Sequence, residues 1–259
     1  MLLTVSAFAQ ERTYLGFDRN DYPGDAAMKR LIRDFSFTGY WLNRPPGSSG
    51  NSWKGKRRKL EELGFGFLVV FNGRLFAQIT GNATALGISD GQAAIASARL
   101  KGFPAHTIIF LDQEQGGRLL PEQRSYLYAW IDTVRAAGFG AGVYCSGIAF
   151  REDSKTTVIT AEDIRQNAGP RDLTYWVSND ACPPSPGCTL GPKRPEPSAS
   201  GLRFADIWQF AQSPRRKDFA YGCGNYSPDG NCYRPGLELE GLHLDLDAAT
   251  SADPSRARN

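Results

Sequence analysis

The amino-acid sequence predicts an α/β fold: a single, distorted (β/α)8 barrel of the TIM type, with irregular insertions in its last third. Three observations predict it. Short apolar runs of strand type alternate with segments of helical period along most of the chain, the order expected of parallel strands covered by helices. Eight such runs can be found, enough to close a parallel barrel. The chain has 259 residues, 41% of them apolar, which suffices for the core of one barrel, a fold that commonly takes about 250 residues. No internal repeat and no hinge-like linker divides it, so residues 10–259 are read as one domain.

Tyr14 to Phe17 reads as the first strand. Asp25 to Phe35 follows as a helix, with Ala27, Met28, Leu31, Ile32 and Phe35 on one face. Thr38 to Leu42 is the second strand, Lys56 to Leu63 the second helix and Phe65 to Phe71 the third strand. Ser89 is placed to cap a helix that runs to Leu100. Thr107 to Leu111 is the fourth strand, apolar as a strand covered on both faces should be. Pro121 opens the next helix, where it has no amide hydrogen to lose, and Gly138 ends it. Gly140 to Tyr144 is the fifth strand, Thr160 to Asn167 a short helix, and Thr174 to Val177 the sixth strand. Ala205 to Phe210 and Leu242 to Leu246 complete the set. Residues 180–202, rich in Pro, Ser and Gly, and residues 213–237 carry no periodic pattern and replace the later helices.

Composition narrows the function classes. A net charge of +3, with basic residues scattered apart from Lys54 to Lys59 and Arg215 to Lys217, predicts no nucleic-acid surface. Such a balance can draw a protein toward anionic cell-wall polymers, and it is also ordinary for a soluble monomer. No stretch is long and apolar enough to span a bilayer. Residues 1–9 hold an apolar run, Leu2 to Phe8, that meets Ala7-x-Ala9, the small-residue pattern of a signal-peptidase site. This reads as a truncated signal peptide and predicts a secreted or periplasmic protein. An ordinary apolar N-terminus is the alternative, since no basic region precedes the run.

Five cysteines agree with export. Cys182 and Cys188 bracket one Pro/Gly-rich loop, and Cys223 and Cys232 another, so two local disulfides are expected. Cys145 follows an apolar strand and is either a nucleophile or a buried inert thiol. The second reading is favoured because no histidine is placed to activate it.

In a parallel barrel the working face lies beyond the carboxyl ends of the strands, so the polar residues that follow the apolar runs are the candidates for chemistry. They are acidic here: Asp18 after strand one, Asp112 and Glu114 after strand four, Asp245 and Asp247 on strand eight. Residues i and i+2 share a strand face about 6.6 Å apart, so Asp112 and Glu114 point the same way. Neighbouring carboxylates repel, and one tends to keep its proton. Glycoside hydrolysis uses that arrangement, one carboxyl donating to the leaving oxygen while a second serves as nucleophile, base or charge stabiliser. Asp18 alone reads equally well as a turn cap before Asn20 to Gly24. Tyr40, Asn43, Tyr144, Trp176, Asn179, Trp208 and Gln209 sit at the same ends of other strands and are candidate substrate-binding residues, rings for sugar faces and amides for hydroxyls.

The ordered series Asp18, Leu111-Asp112-Gln113-Glu114, Tyr144, Trp176, Trp208-Gln209 and Leu244-Asp245 resembles glycoside hydrolase family 25, which contains muramidases. Gly16-Phe17-Asp18, Gly39-Tyr40-Trp41 and Asp90-Gly91-Gln92-Ala93-Ala94 extend the likeness. With them the chain more closely resembles the secreted glycoside hydrolase-like group once classed as domain of unknown function family 1906. The resemblance implies a distorted TIM barrel, Glu114 as general acid, Asp112, Asp18 and Asp245 as further pocket acids, and no metal or organic cofactor. Gln113 departs from it, standing where a small apolar residue is usual. The expected function is hydrolysis of peptidoglycan or a related cell-wall polysaccharide. The alternative is a non-catalytic carbohydrate-binding or cell-envelope protein on the same barrel. A metal-dependent phosphodiesterase is less favoured, because His106 and His243 precede strands four and eight and are expected at the barrel's opposite end.

Overall fold

The computed structural model describes residues 12–180, 195–212, 242 and 244–258. In chain order its elements are β1 (Tyr14–Asp18), α1 (Asp25–Leu31), β2 (Phe37–Trp41), α2 (Arg57–Leu63), β3 (Gly66–Asn72), α3 (Ala83–Leu100), β4 (Ile108–Gln113) and α4 (Pro121–Ala136). There follow β5 (Gly140–Ser146), a hairpin of β6 (Ala149–Arg151) and β7 (Thr157–Ile159), α5 (Thr160–Asn167), β8 (Thr174–Ser178), β9 (Ile207–Ala211) and β10 (Asp245–Ala249). Eight of the strands close a barrel in the order β1-β2-β3-β4-β5-β8-β9-β10, as the sequence predicts, and β6 pairs with β7 outside it.

The expectation of eight parallel strands is corrected at the last one. β10 runs antiparallel to both neighbours, with Asp18 opposite Asp245 and Gly16 opposite Asp247. Alternation has the same period in either direction, so the apolar pattern of residues 242–249 gave position but not polarity. Because the strand is reversed, its beginning, at Asp245, lies at the mouth where β1 ends.

Strand alternation builds two apolar layers. Inside the barrel Phe110 meets Trp176 edge to face at 5.9 Å. Gly142 makes room for it, since a Cβ there would fall 2.4 Å from the Phe110 ring. Between barrel and helices, Phe17 meets Phe35 at 5.2 Å, Tyr40 meets Phe103 at 5.2 Å, and Phe71 lies 6.3 Å from Trp130 of α4. α3 begins at Ala83, not near Ser89: the Asn82 side chain accepts the Ala85 N–H at 3.0 Å and caps it. Gly87 within this extra length reads as a helix breaker, yet it faces α4, where a Cβ would stand 2.3 Å from the Tyr126 carbonyl oxygen.

After β10 the chain turns back under the barrel. Ser255, wholly buried, sits between the lower ends of β3 and β4. Its N–H donates to the Phe67 carbonyl at 2.9 Å, its carbonyl accepts the Ile108 N–H at 2.7 Å, and its hydroxyl accepts the Val69 N–H at 2.8 Å. β3 and β4 begin to register only above this point, at Val69 and Ile109.

Residues 1–9 and the cysteines at 182, 188, 223 and 232 lie outside the described residues, as do His243 and most of both insertions. Cys145 is buried and burial pushes its thiol up, which matches the inert-thiol reading. His106 is exposed just before β4, at the end of the barrel away from the acids. Among the described residues no helix is long and apolar enough to cross a membrane.

Candidate functional site

The acids converge at the open end of the barrel. β1 delivers Asp18 as its last residue, β4 delivers Asp112, and β10 delivers Asp245 and Asp247. Asp18 fits against β2 only because position 39 is glycine: a Cβ there would lie 2.7 Å from that of Asp18. From β5, Tyr144 leans on Trp176 of β8 with ring centroids 4.7 Å apart, and from β9 comes Gln209.

Hydrogen bonds join these groups into one chain. The Trp176 indole donates to Asp247 Oδ1 at 2.8 Å, and the Gln209 amide donates to Asp18 Oδ2 at 2.8 Å. Gln209 Oε1 accepts from the Tyr144 hydroxyl at 2.7 Å and from Gln212 at 3.0 Å. Asp18 and Asp247 lie on one face of the adjacent strands β1 and β10, and each bears on the other's protonation.

Glu114 stands one step beyond β4 on the exposed rim. The segment that carries it is fastened on both sides. The Gln115 side chain accepts the Phe76 N–H and the Gln123 amide, the latter at 3.2 Å. The Thr160 hydroxyl donates to the Gly117 carbonyl at 3.0 Å, and buried Asp163 accepts the Leu119 N–H at 3.1 Å and an Arg124 N–H at 2.8 Å. Among the described residues Glu114 itself has no hydrogen-bond or ion-pair partner, and Asp112 Oδ1 is buried without one.

Burial dominates the electrostatics. It raises the Asp18 carboxyl to about 7, against the pull of hydrogen bonds from Gln209 and Asp247. Asp112 is raised well above the carboxylate range by burial first, then by the charges of Glu114 and Asp18. Glu114 is raised as well, by the desolvation that surrounding atoms impose even at the rim. Tyr144 is pushed up by burial and then by Asp18, Asp112 and Asp245, so three carboxyls surround its hydroxyl. Burial thus favours the protonated forms of Asp18, Asp112 and Glu114, as expected of neighbouring buried acids.

The substrate-binding expectations divide. Tyr144 and Gln209 belong to the cluster, and Trp176 lies beneath it, 2% exposed, as its floor. Tyr40 and Trp208 are corrected. Both are wholly buried and face outward, Tyr40 among Trp53, Phe67 and Phe103, and Trp208 beside Phe210. Each is the sequence neighbour of a residue that faces in, Gly39 or Gln209, and alternation forbids both. Asn43 and Asn179 are held as loop ties. Asn43 exchanges hydrogen bonds with the Asn72 backbone, and Asn179 donates to the Ser200 carbonyl at 2.7 Å. Sequence reading collected both Asp245 and Asp247 on strand eight and gave the pocket role to Asp245 alone, although alternation puts both on one face. It also missed Gln212, one residue beyond β9.

Comparison with known proteins follows from this geometry. The family model described as Rv2525c-like, glycoside hydrolase-like domain matches residues 40–188. No curated protein matches the chain by sequence. Among solved structures, an uncharacterized protein of B. stearothermophilus is 16% identical, with a TM-score of 0.56 over 90% of this chain and 94% of its own. The Tat-secreted protein Rv2525c of Mycobacterium tuberculosis, in complex with L-tartrate, is 16% identical, with a TM-score of 0.52 over 92% of this chain and 95% of its own. The spore cortex lytic enzyme SleM of Clostridium perfringens is 13% identical, with a TM-score of 0.55 over 92% of this chain and 68% of its own.

Proposed function

The chain belongs to the Rv2525c-like, glycoside hydrolase-like family, and from that premise we propose that it is an exported hydrolase of peptidoglycan or a related cell-wall polysaccharide, with Glu114 as general acid assisted by Asp112. The observation that carries the proposal is the pairing of an exposed Glu114, without a partner among the described residues, with a buried Asp112, both inclined to hold a proton. Glu114 is the member that a substrate can reach. It donates its proton to the glycosidic oxygen, and the bond to the anomeric carbon breaks with its electron pair leaving on that oxygen. The positive charge that develops on the sugar is stabilised by the carboxyls around Asp112, Asp18 and Asp245. Water then adds to the anomeric carbon and gives its proton to the carboxylate left on Glu114, which restores the acid. Tyr144 and Gln209 line the approach.

Two similarities of fold direct the choice of substrate and location. The neighbour SleM is a spore cortex lytic enzyme, which makes peptidoglycan the first polymer to test, and Rv2525c is Tat-secreted, which agrees with export.

Purified cell walls incubated with the protein are expected to release reducing ends. Glu114→Gln should lower that rate by at least about 100-fold, the usual size of a lost general acid, with its circular dichroism and melting temperature kept. Undiminished turnover in the variant rejects the assignment. Glycan retention without any reducing ends from the wild type identifies the non-catalytic binding protein instead.

A further inference from the structure

One acid has no part in the proton transfer described above. Asp247 is wholly buried on β10, opposite Gly16 of β1 and Gln209 of β9. Its Oδ1 accepts the Trp176 indole N–H at 2.8 Å. Its Oδ2 is equally enclosed and, among the described residues, receives no hydrogen from an N–H or O–H donor. A carboxylate oxygen sealed from water and left without a donor is strongly disfavoured. Yet the register sets Asp247 opposite Gly16 and Asp245 opposite Asp18, so alternation puts Asp247 and Asp18 on one face of adjacent strands, where each bears on the other's protonation, and two neighbouring buried carboxyls favour a shared proton, since two carboxylates would repel.

The supply of donors decides which acid keeps that proton. Asp18 already accepts the Gln209 amide at 2.8 Å and lies at the end of its strand, against the mouth. Asp247 has one indole donor and lies deeper. We propose that Asp247 is a positioning residue: a neutral carboxylic acid whose proton bridges to Asp18 and locks that carboxylate, through Gln209, in line with the Tyr144 hydroxyl. With the proton there, each link has one donor and one acceptor. The indole donates to Asp247, Asp247 donates to Asp18, and the Gln209 NH2 donates to Asp18. That orientation turns Gln209 Oε1 toward the Tyr144 hydroxyl and Gln212. Without it the Gln209 amide loses the reason for its direction.

Among the described residues the titratable and charged groups around this pair are Asp245 on β10, Arg19 beside Asp245, Asp112 from β4, with Glu114 acting on it from the rim, and Tyr144 from β5. Among the described residues β8 and β9 contribute the neutral Trp176 and Gln209. Substitution separates the two possible states of Asp247. Asparagine copies a neutral acid, because its amide NH2 can donate to Asp18 while its carbonyl accepts the indole. Leucine copies only the shape.

The test is a carboxyl-carbon NMR titration of aspartate-labelled protein, with Asp18→Asn used to assign the Asp18 signal. The apparent pKa of Asp18 is expected to stay within about one unit of the wild type in Asp247→Asn and to rise in Asp247→Leu, where a donor to its charged form is lost. A fall of well over about one unit in Asp247→Asn overturns the proposal, because it reports removal of a negative neighbour. If the leucine variant does not fold, the asparagine variant alone decides. The consequence for turnover rests on the hydrolase reading: Asp247→Asn should keep kcat within about tenfold and Asp247→Leu should lose about 100-fold or more, with KM changing less. Equal losses in both folded variants also overturn it. If the wild type cleaves no glycan, the hydrolase reading fails while the titration still gives its answer.

Discussion

At the scale of single residues, acids buried to serve a mouth leave a mark on the pH dependence of the whole fold. Asp18 has an ordinary value of 3.8 and is raised by burial to about 7. A carboxyl raised in this way contributes stability that is fully present below pH 3.8 and lost as pH rises through about 7, because the folded state binds the proton more tightly than the unfolded chain. Asp112 and Asp247 are raised in the same sense. The unfolding free energy from urea titrations is therefore expected to fall between pH 5 and pH 8, by an amount on the order of a few kcal/mol, and Asp18→Asn should flatten that slope. A free energy that rises over this range would show that the cluster is ionised in the folded state. The same residues show what a sequence can reveal. Asp18, Asp112, Tyr144 and Gln209 were legible because they end apolar runs, and the strand-end rule needs nothing more. Tyr40 and Trp208 were misplaced because the rule says nothing of phase, and one position along a strand separates a pocket residue from a core residue.

At the scale of elements, the helices were easier to find than to delimit. α3 was read from Ser89 because serine can cap a helix, and Gly87 lies in the stretch left out. In the structure it is a point of close approach, with α4 pressed so near that no side chain fits. Gly87→Ala should therefore destabilise the protein by about 1–3 kcal/mol, although alanine favours an isolated helix by about 1 kcal/mol. Chemical denaturation of the variant checks this, and a gain in stability would mean that the two helices separate at little cost. The β6–β7 hairpin escaped notice because strands of three residues are too short to show a period. β10 was found but read in the wrong direction, since direction is fixed by tertiary connection and not by pattern. The reversal is what carries Asp247 into the interior between β1 and β9, and its place there was invisible without it.

At the scale of the whole molecule, the barrel is sealed at two seams by residues from the end of the described chain. β10 joins β9 to β1, and Ser255 fills the gap between β3 and β4. Ser255 thus bonds to Val69, a partner 186 residues earlier. That separation bears on the order of events in time. A chain that grows from its N-terminus can pair β1 through β5 long before residue 255 exists, and a contact spanning most of the sequence pays its loop-closure entropy last. The lower seam between β3 and β4 should then stand open in the folding transition state and close only afterward. Ser255→Ala removes the hydroxyl that accepts the Val69 N–H, a loss of about 1–3 kcal/mol for a buried donor left unpaired. If closure is late, stopped-flow measurements will find that loss almost wholly in faster unfolding, with refolding unchanged. Slower refolding of the same size would place the last residues among the first to find their partners.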